Sequence, residues 1–152
     1  MQERYETFAE IADAAFGSIL DFVESDKAKE VRKYLPRGQF VREYATLRLN
    51  LGRQTGKTEW IVNNAARSDI IIVATQMQVE ELTSRFKAKD LPVPYILKAE
   101  SVEYRFRGQR DLDKIGETIF VDDASYLDQA KLNAAINEIA IHIKPDHIVF
   151  LG

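Results

Sequence analysis

The chain has 152 residues, 45% of them hydrophobic, which is enough for one core and a single domain. It has no cysteine, which excludes a disulfide framework, a thiolate metal site and a cysteine nucleophile, and with only His142 and His147 it has little material for imidazole chemistry. The net charge is −3, and no apolar run of membrane-spanning length or signal-peptide pattern is present, so a cytoplasmic protein without the basic excess of a duplex-coating protein is expected.

Residues 1–36 read as an N-terminal helical segment, and residues 37–152 as the core of the same domain. From Glu6 to Glu24, Phe8, Ile11, Ala12, Ala15, Phe16, Ile19, Leu20, Phe22 and Val23 keep an apolar face with acids between them. The charged run Asp26 to Lys33 continues or restarts a helix, which Leu35-Pro36-Arg37-Gly38 breaks. Gln39 to Leu51 reads as extended, with residues 45–51 the strand that feeds the loop after it. Lys57 to Ala66 is the next predicted helix. Asp69 to Ala74 is a continuous apolar run, the pattern of a strand buried on both faces of a parallel sheet.

Gln76 to Lys89 returns to helix, and Pro92 and Pro94 precede a short strand, Tyr95-Ile96-Leu97. Ser101 to Arg107 alternates Val102, Tyr104 and Phe106 with Glu103, Arg105 and Arg107, which predicts a half-exposed strand. Thr118 to Val121 is a further buried strand, Leu127 to Ile143 a helix stopped by Pro145, and His147 to Leu151 a last buried strand. Strands alternating with helices predict an α/β fold with a mostly parallel sheet flanked by helices. In such sheets ligands sit beyond the carboxyl ends of the strands.

The run Asn50-Leu51-Gly52-Arg53-Gln54-Thr55-Gly56-Lys57-Thr58 ends in Gly-Lys-Thr between a predicted strand and a predicted helix. That is the context of a loop that wraps a nucleoside triphosphate. Backbone N–H groups of Gly52 to Thr58 and the positive end of the helix dipole would hold phosphate charge. Lys57 would reach the β/γ-phosphates, and Thr58 would place its hydroxyl on Mg²⁺. The pattern deviates from the full motif, because Leu51 stands where the first glycine belongs and Gly52 comes one place late. A chance Gly-Lys-Thr at an ordinary helix start is the plainer alternative.

A second element, Thr118-Ile119-Phe120-Val121-Asp122-Asp123, supplies what such a loop needs. Asp122 would bind Mg²⁺, and Asp123 would orient or deprotonate the attacking water. A strand-end cap for Asp122 and a solvated or capping acid for Asp123 are the alternatives. Both segments lie just past predicted strands, so the architecture would bring them together. Gln39, ahead of the strand, could read adenine through its amide, or be an ordinary polar residue. Thr75-Gln76 could sense nucleotide or touch DNA, or be a helix N-cap and its neighbour. Arg105, Arg107 and Arg110 are the one local basic cluster, fit for DNA phosphate or a trans arginine finger, or simply a solvated face paired with Glu103 and Asp111. Trp60 and the Phe8/Phe16 stripe read as core. The sequence lacks an Asn-Lys-x-Asp guanine signature, which favours ATP.

The loop Asn-Leu-Gly-Arg-Gln-Thr-Gly-Lys-Thr resembles the Walker A motif of large terminases, the ATPases that package phage DNA, especially the T4-like group. Ile72-Val73-Ala74-Thr75-Gln76 with Val79-Glu80-Glu81-Leu82, Arg107-Gly108-Gln109-Arg110, Asp122-Asp123-Ala124-Ser125-Tyr126-Leu127 and Ile148-Val149-Phe150-Leu151-Gly152 resemble further segments of that family. The likeness covers roughly residues 37–152. It implies a P-loop NTPase of ASCE/RecA-like type that uses ATP and Mg²⁺, with Arg53 as γ-phosphate sensor or cis finger. It also implies double-stranded DNA as partner, a homo-oligomeric ring with a portal-type partner, and the host cell cytoplasm as location. Asp123 stands where the family has glutamate, one methylene shorter. A terminase continues past the point matched by Gly152 into a coupling motif and a nuclease domain. Two other readings stay open: a helicase-like ATPase on single-stranded DNA, and a non-hydrolysing nucleotide-binding interaction module.

Overall fold

The computed structural model describes residues 2–50, 56–102, 118–124, 127–142 and 145–152. In chain order the elements are α1 (Gln2–Glu24), α2 (Asp26–Arg32), α3 (Arg37–Tyr44), β1 (Thr46–Leu49), α4 (Lys57–Asn64), β2 (Ile70–Val73), α5 (Gln76–Ala88), β3 (Tyr95–Lys98), a 3₁₀ turn (Ala99–Ser101), β4 (Thr118–Val121), α6 (Gln129–His142) and β5 (His147–Leu151). The five strands form one sheet in the order β1-β5-β4-β2-β3, and every pairing is parallel. The fold is therefore α/β, with helices on both faces.

Strand pleating sorts the core into two layers. Ile70, Ile72, Ile119, Val121, Ile148 and Phe150 face one side, with Phe40 and Val41 of α3 and Leu132, Ile136 and Ile139 of α6. Ile71, Val73, Phe120, Val149 and Leu151 face the other, with Trp60 and Ile61 of α4 and Leu82 and Phe86 of α5. Because β2, β4 and β5 are covered on both faces, each is fully buried, which is why they read as unbroken apolar runs. At the amino edge Asp69 accepts from the Ala66 and Thr118 amides at 2.7 and 3.1 Å. Thr118 Oγ1 lies 3.4 Å from His147 Nδ1, so the one described histidine side chain is a buried, partnered one.

α1 belongs to both layers. Phe8 and Ala12 pack with the Trp60 layer, whereas Val23 lies in the other core and Ile19 and Phe22 pack against it. The helix thus passes from one face to the other beside β1, which it contacts. An edge strand covered in this way is closed to pairing with another chain. Trp60 is 1% exposed, with its Nε1 donating to Asp13 at 2.8 Å and Phe8 and Phe16 edge-on to its ring.

Two segments differ from the sequence expectation. Gln39 to Leu51 is not extended throughout: α3 runs from Arg37 to Tyr44, and the strand starts only at Thr46. Phe40, Val41 and Tyr44 are spaced to share one helical face; Phe40 stacks on Tyr44, and the Arg32 guanidinium lies over the Phe40 ring, 4.7 Å from its centroid. The preceding helix already ends at Arg32, with Lys33 as its C-cap, and Pro36 serves as the N-cap of α3, its carbonyl taking the Phe40 amide. Further on, Ser101 lies in the 3₁₀ turn and Val102 is helical in backbone, so the predicted strand does not begin there. Val102 is buried, and the turn packs against α6. The rest of that predicted strand lies outside the described residues.

Phe120 joins the aromatic layer, 6.0 Å from Trp60 and 6.1 Å from Phe16. Phe120→Ala is expected to cost about 3–5 kcal/mol. Urea unfolding should show the midpoint falling at unchanged slope.

Candidate functional site

With all strands parallel, their carboxyl ends share one edge. β1 leads towards residues 51–55, which lie outside the described residues, and the chain returns at Gly56. Gly56 caps α4 with φ 85° and ψ 23°, a left-handed conformation open to glycine at no steric cost. Gly56 offers no side chain to cap this helix, whose first backbone bond is Trp60 N–H to Gly56 O. The amides of Lys57, Thr58 and Glu59 therefore have no partner within the helix, an arrangement suited to an anion.

Lys57 stands at the first position of α4, where the helix dipole disfavours a cation, and it is only 6% exposed. Burial of an ammonium demands compensation. Its Nζ donates to the Gly152 carbonyl at 2.5 Å and pairs with Asp123 Oδ1 at 3.2 Å. Gly152 follows β5, and its own amide bonds Leu49 O at 2.8 Å. β5 lies between β1 and β4. The ammonium thus joins the ends of two neighbouring strands, β5 and β4, one strand spacing of about 5 Å apart.

The acids follow β4. The Asp122 amide bonds Ile72 O at 3.0 Å, carrying the ladder to β2 one residue beyond the strand. Asp123 then adopts φ 51°. In an extended chain neighbouring side chains point to opposite faces. The left-handed turn breaks that alternation, so Asp122 meets Thr58 while Asp123 meets Lys57. Left-handed backbone is uncommon outside glycine, though aspartate tolerates it better than most residues.

Asp122 is 3% exposed. Its Oδ2 accepts the Thr58 hydroxyl at 2.8 Å, and its Oδ1 has no hydrogen-bond partner among the described residues. Burial raises its carboxyl above the usual 3.8, and the charge of Asp123 adds to this; the Thr58 hydroxyl and the Lys57 ammonium oppose it. A buried carboxylate oxygen left over beside a hydroxyl fits a small hard cation. Mg²⁺ takes one or two carboxylates and completes its shell from phosphate and water. Among the described residues no three acids or histidines cluster, so protein ligands alone do not build a metal cage there.

Of the residues singled out from sequence, Lys57, Thr58, Asp122 and Asp123 come together. Gly52, Arg53, Gln54, Thr55, Arg105, Arg107 and Arg110 lie outside the described residues. Gln39 sits on α3, whose core residues lie on the sheet face opposite those of α4, and its amide bonds Glu43 at 3.0 Å. Thr75 is the N-cap of α5, in a capping box with Gln78. Gln78 was not visible as a site residue. Its Oε1 accepts from the Ala74 and Thr75 amides at 2.9 and 3.0 Å, and its Nε2 lies 3.5 Å from Asp123 Oδ2. The signal in the sequence was the Thr75-x-x-Gln78 spacing.

α4 and α5 are also joined on the surface. Glu59 pairs with Lys89 and with Arg85, and Lys89 donates to Asn63. Exposed pairs of this kind contribute little each. A cleft lined by Arg32, Leu35, Phe40, Val41, Pro145 and Asp146 lies at the amino end of β5, away from this edge.

Because Asp122 is held above its ordinary pKa, the folded chain binds its proton more tightly than the unfolded chain. This group therefore lowers stability as pH rises from 3.8 to its folded value, and the penalty persists above that. Asp122→Asn removes the penalty. Without ligand the variant is expected to melt about 2–4 °C higher at neutral pH. The gain over the parent chain should shrink as the pH is lowered towards 3.8 in a calorimetric series.

Comparison with protein-family models gives no match, and comparison with curated proteins gives none.

Proposed function

We propose that this chain is a Mg²⁺-dependent ATP-binding and ATP-hydrolysing P-loop protein of ASCE/RecA-like type. We further propose the kind of ATPase core with which large terminases move double-stranded DNA. One observation carries the ATPase reading. The first residues of the helix after the loop meet the acids after a buried strand, Thr58 against Asp122 at 2.8 Å and Lys57 against Asp123 at 3.2 Å. The DNA-translocating part rests on the resemblance of residues 37–152 to terminases, and a homo-oligomeric ring belongs to that same part.

Bound Mg²⁺ would neutralise phosphate charge and polarise the transferred group. Thr58 and Asp122 would hold it, the spare Asp122 oxygen being the available ligand. The first amides of α4, which have no partner within the helix, would receive phosphate oxygens. Lys57 would exchange Asp123 and the Gly152 carbonyl for phosphate. That exchange would leave the Asp123 carboxylate to orient water and take its proton. Arg53 in this reading stabilises the γ-phosphate.

A second reading is favoured by a specific observation. In place of the longer glutamate, Asp123 is engaged by Lys57. If nucleotide does not release it, the chain would bind ATP without hydrolysing it.

Titration calorimetry with a non-hydrolysable ATP analogue and Mg²⁺ tests the site. Lys57→Ala is expected to weaken binding at least about 100-fold; an unchanged affinity would remove the site. Phosphate release from ATP, with and without duplex DNA, separates the two readings. Binding with no release under either condition selects the non-hydrolysing one.

A further inference from the structure

We propose that Gln78 is a positioning residue for hydrolysis, with its side-chain amide orienting the Asp123 carboxylate. The inference rests on the reading of Asp123 as the group that activates water.

Gln78 is itself fixed. Its Oε1 accepts two backbone donors, the amides of Ala74 and Thr75, while the Thr75 hydroxyl accepts the Gln78 amide in return. Oε1 also lies 3.4 Å from the Thr75 hydroxyl, but its two backbone partners are N–H groups, so the oxygen is on that side and the NH₂ faces away. What it faces is Asp123 Oδ2, at 3.5 Å. The other oxygen, Oδ1, pairs with Lys57. The two oxygens of Asp123 thus have different partners: a lysine that the phosphate charge would draw away, and an amide that stays.

The placement agrees with the topology. β2 and β4 are neighbours in the sheet, yet the core residues of α5, which follows β2, and of α6, which follows β4, lie on opposite faces. Adjacent strands whose helices diverge open a crevice at their carboxyl ends. Gln78 and Asp123 stand on its two sides. In the hydrolytic step the water oxygen bonds the γ-phosphorus as the bond to the β–γ bridging oxygen breaks. The bridging oxygen keeps the electron pair and leaves with ADP, and the water proton passes to the Asp123 carboxylate. A neutral amide on Oδ2 aims that carboxylate without removing its charge.

Gln78→Glu tests this without disturbing the cap. A capping box accepts glutamate or glutamine, so the Ala74 and Thr75 amides keep their acceptor. The donor facing Asp123 becomes an acceptor. Steady-state phosphate release is expected to show kcat reduced about 10–100-fold with KM for Mg·ATP within about threefold. The melting temperature is expected to fall by less than about 2 °C. Gln78→Ala, which loses both cap and donor, is expected to lower kcat and melting temperature together. A Gln78→Glu enzyme with the parent kcat overturns the proposal and leaves the ATPase reading intact. So does a loss of kcat matched by equal losses in affinity and stability. A parent chain that binds the nucleotide but releases no phosphate overturns both.

Discussion

A buried ammonium at the positive end of a helix is the constraint around which the carboxyl edge of the sheet is arranged. Local preference speaks against Lys57 at that position twice, through the helix dipole and through desolvation. It is held there by an oxygen from each of two strands' ends, Gly152 after β5 and Asp123 after β4. To supply the second, the chain turns through a left-handed residue, and Asp122 is pressed against Thr58 with one oxygen unpartnered among the described residues. Two carboxylates thus share one ammonium. The deficit of positive charge is of the kind that a divalent cation relieves, and departures from local preference on this scale gather at functional positions.

The remainder of the molecule keeps this edge in register. The strands that end there are buried on both faces. Behind α4, Trp60 is set among Phe8, Phe16 and Phe120, so the helix that carries Lys57 and Thr58 is seated on an aromatic layer. The Gln78 cap joins the first turn of α5 to the end of β4 through Asp123. The site is therefore carried by regular elements at their termini, which hold a charge constellation more tightly than a free loop does.

The sheet was legible where burial on both faces left a run such as Ile70 to Val73 or Thr118 to Val121. α3 was not, because four or five residues containing Phe40, Val41 and Tyr44 fit either period, and its aromatic contacts come from α1 and α2, distant in sequence or across a turn. That Lys57 and Thr58 would come near Asp122 and Asp123 was legible because both pairs lie beyond strand ends. Gln78 was hidden, since a glutamine in the first turn of an amphipathic helix looks like a cap and is one. That its other end faces Asp123 depends on β2 and β4 being neighbours, and pairing order is not written in either strand.

The strand order also bears on when this edge can exist at all. Among the described strands β1 is hydrogen-bonded to β5 alone, Thr46 opposite Ile148 and Leu49 opposite Leu151. β2, β3 and β4 close among themselves over shorter loops. Loop closure between partners so far apart is slow, and during synthesis it must wait for the later partner. On a ribosome β1 therefore stays without its sheet until His147 to Leu151 emerges. Assembly of the lysine and the two acids accordingly waits for the same strand, which also supplies Ile148 and Phe150 to one core layer and Val149 and Leu151 to the other.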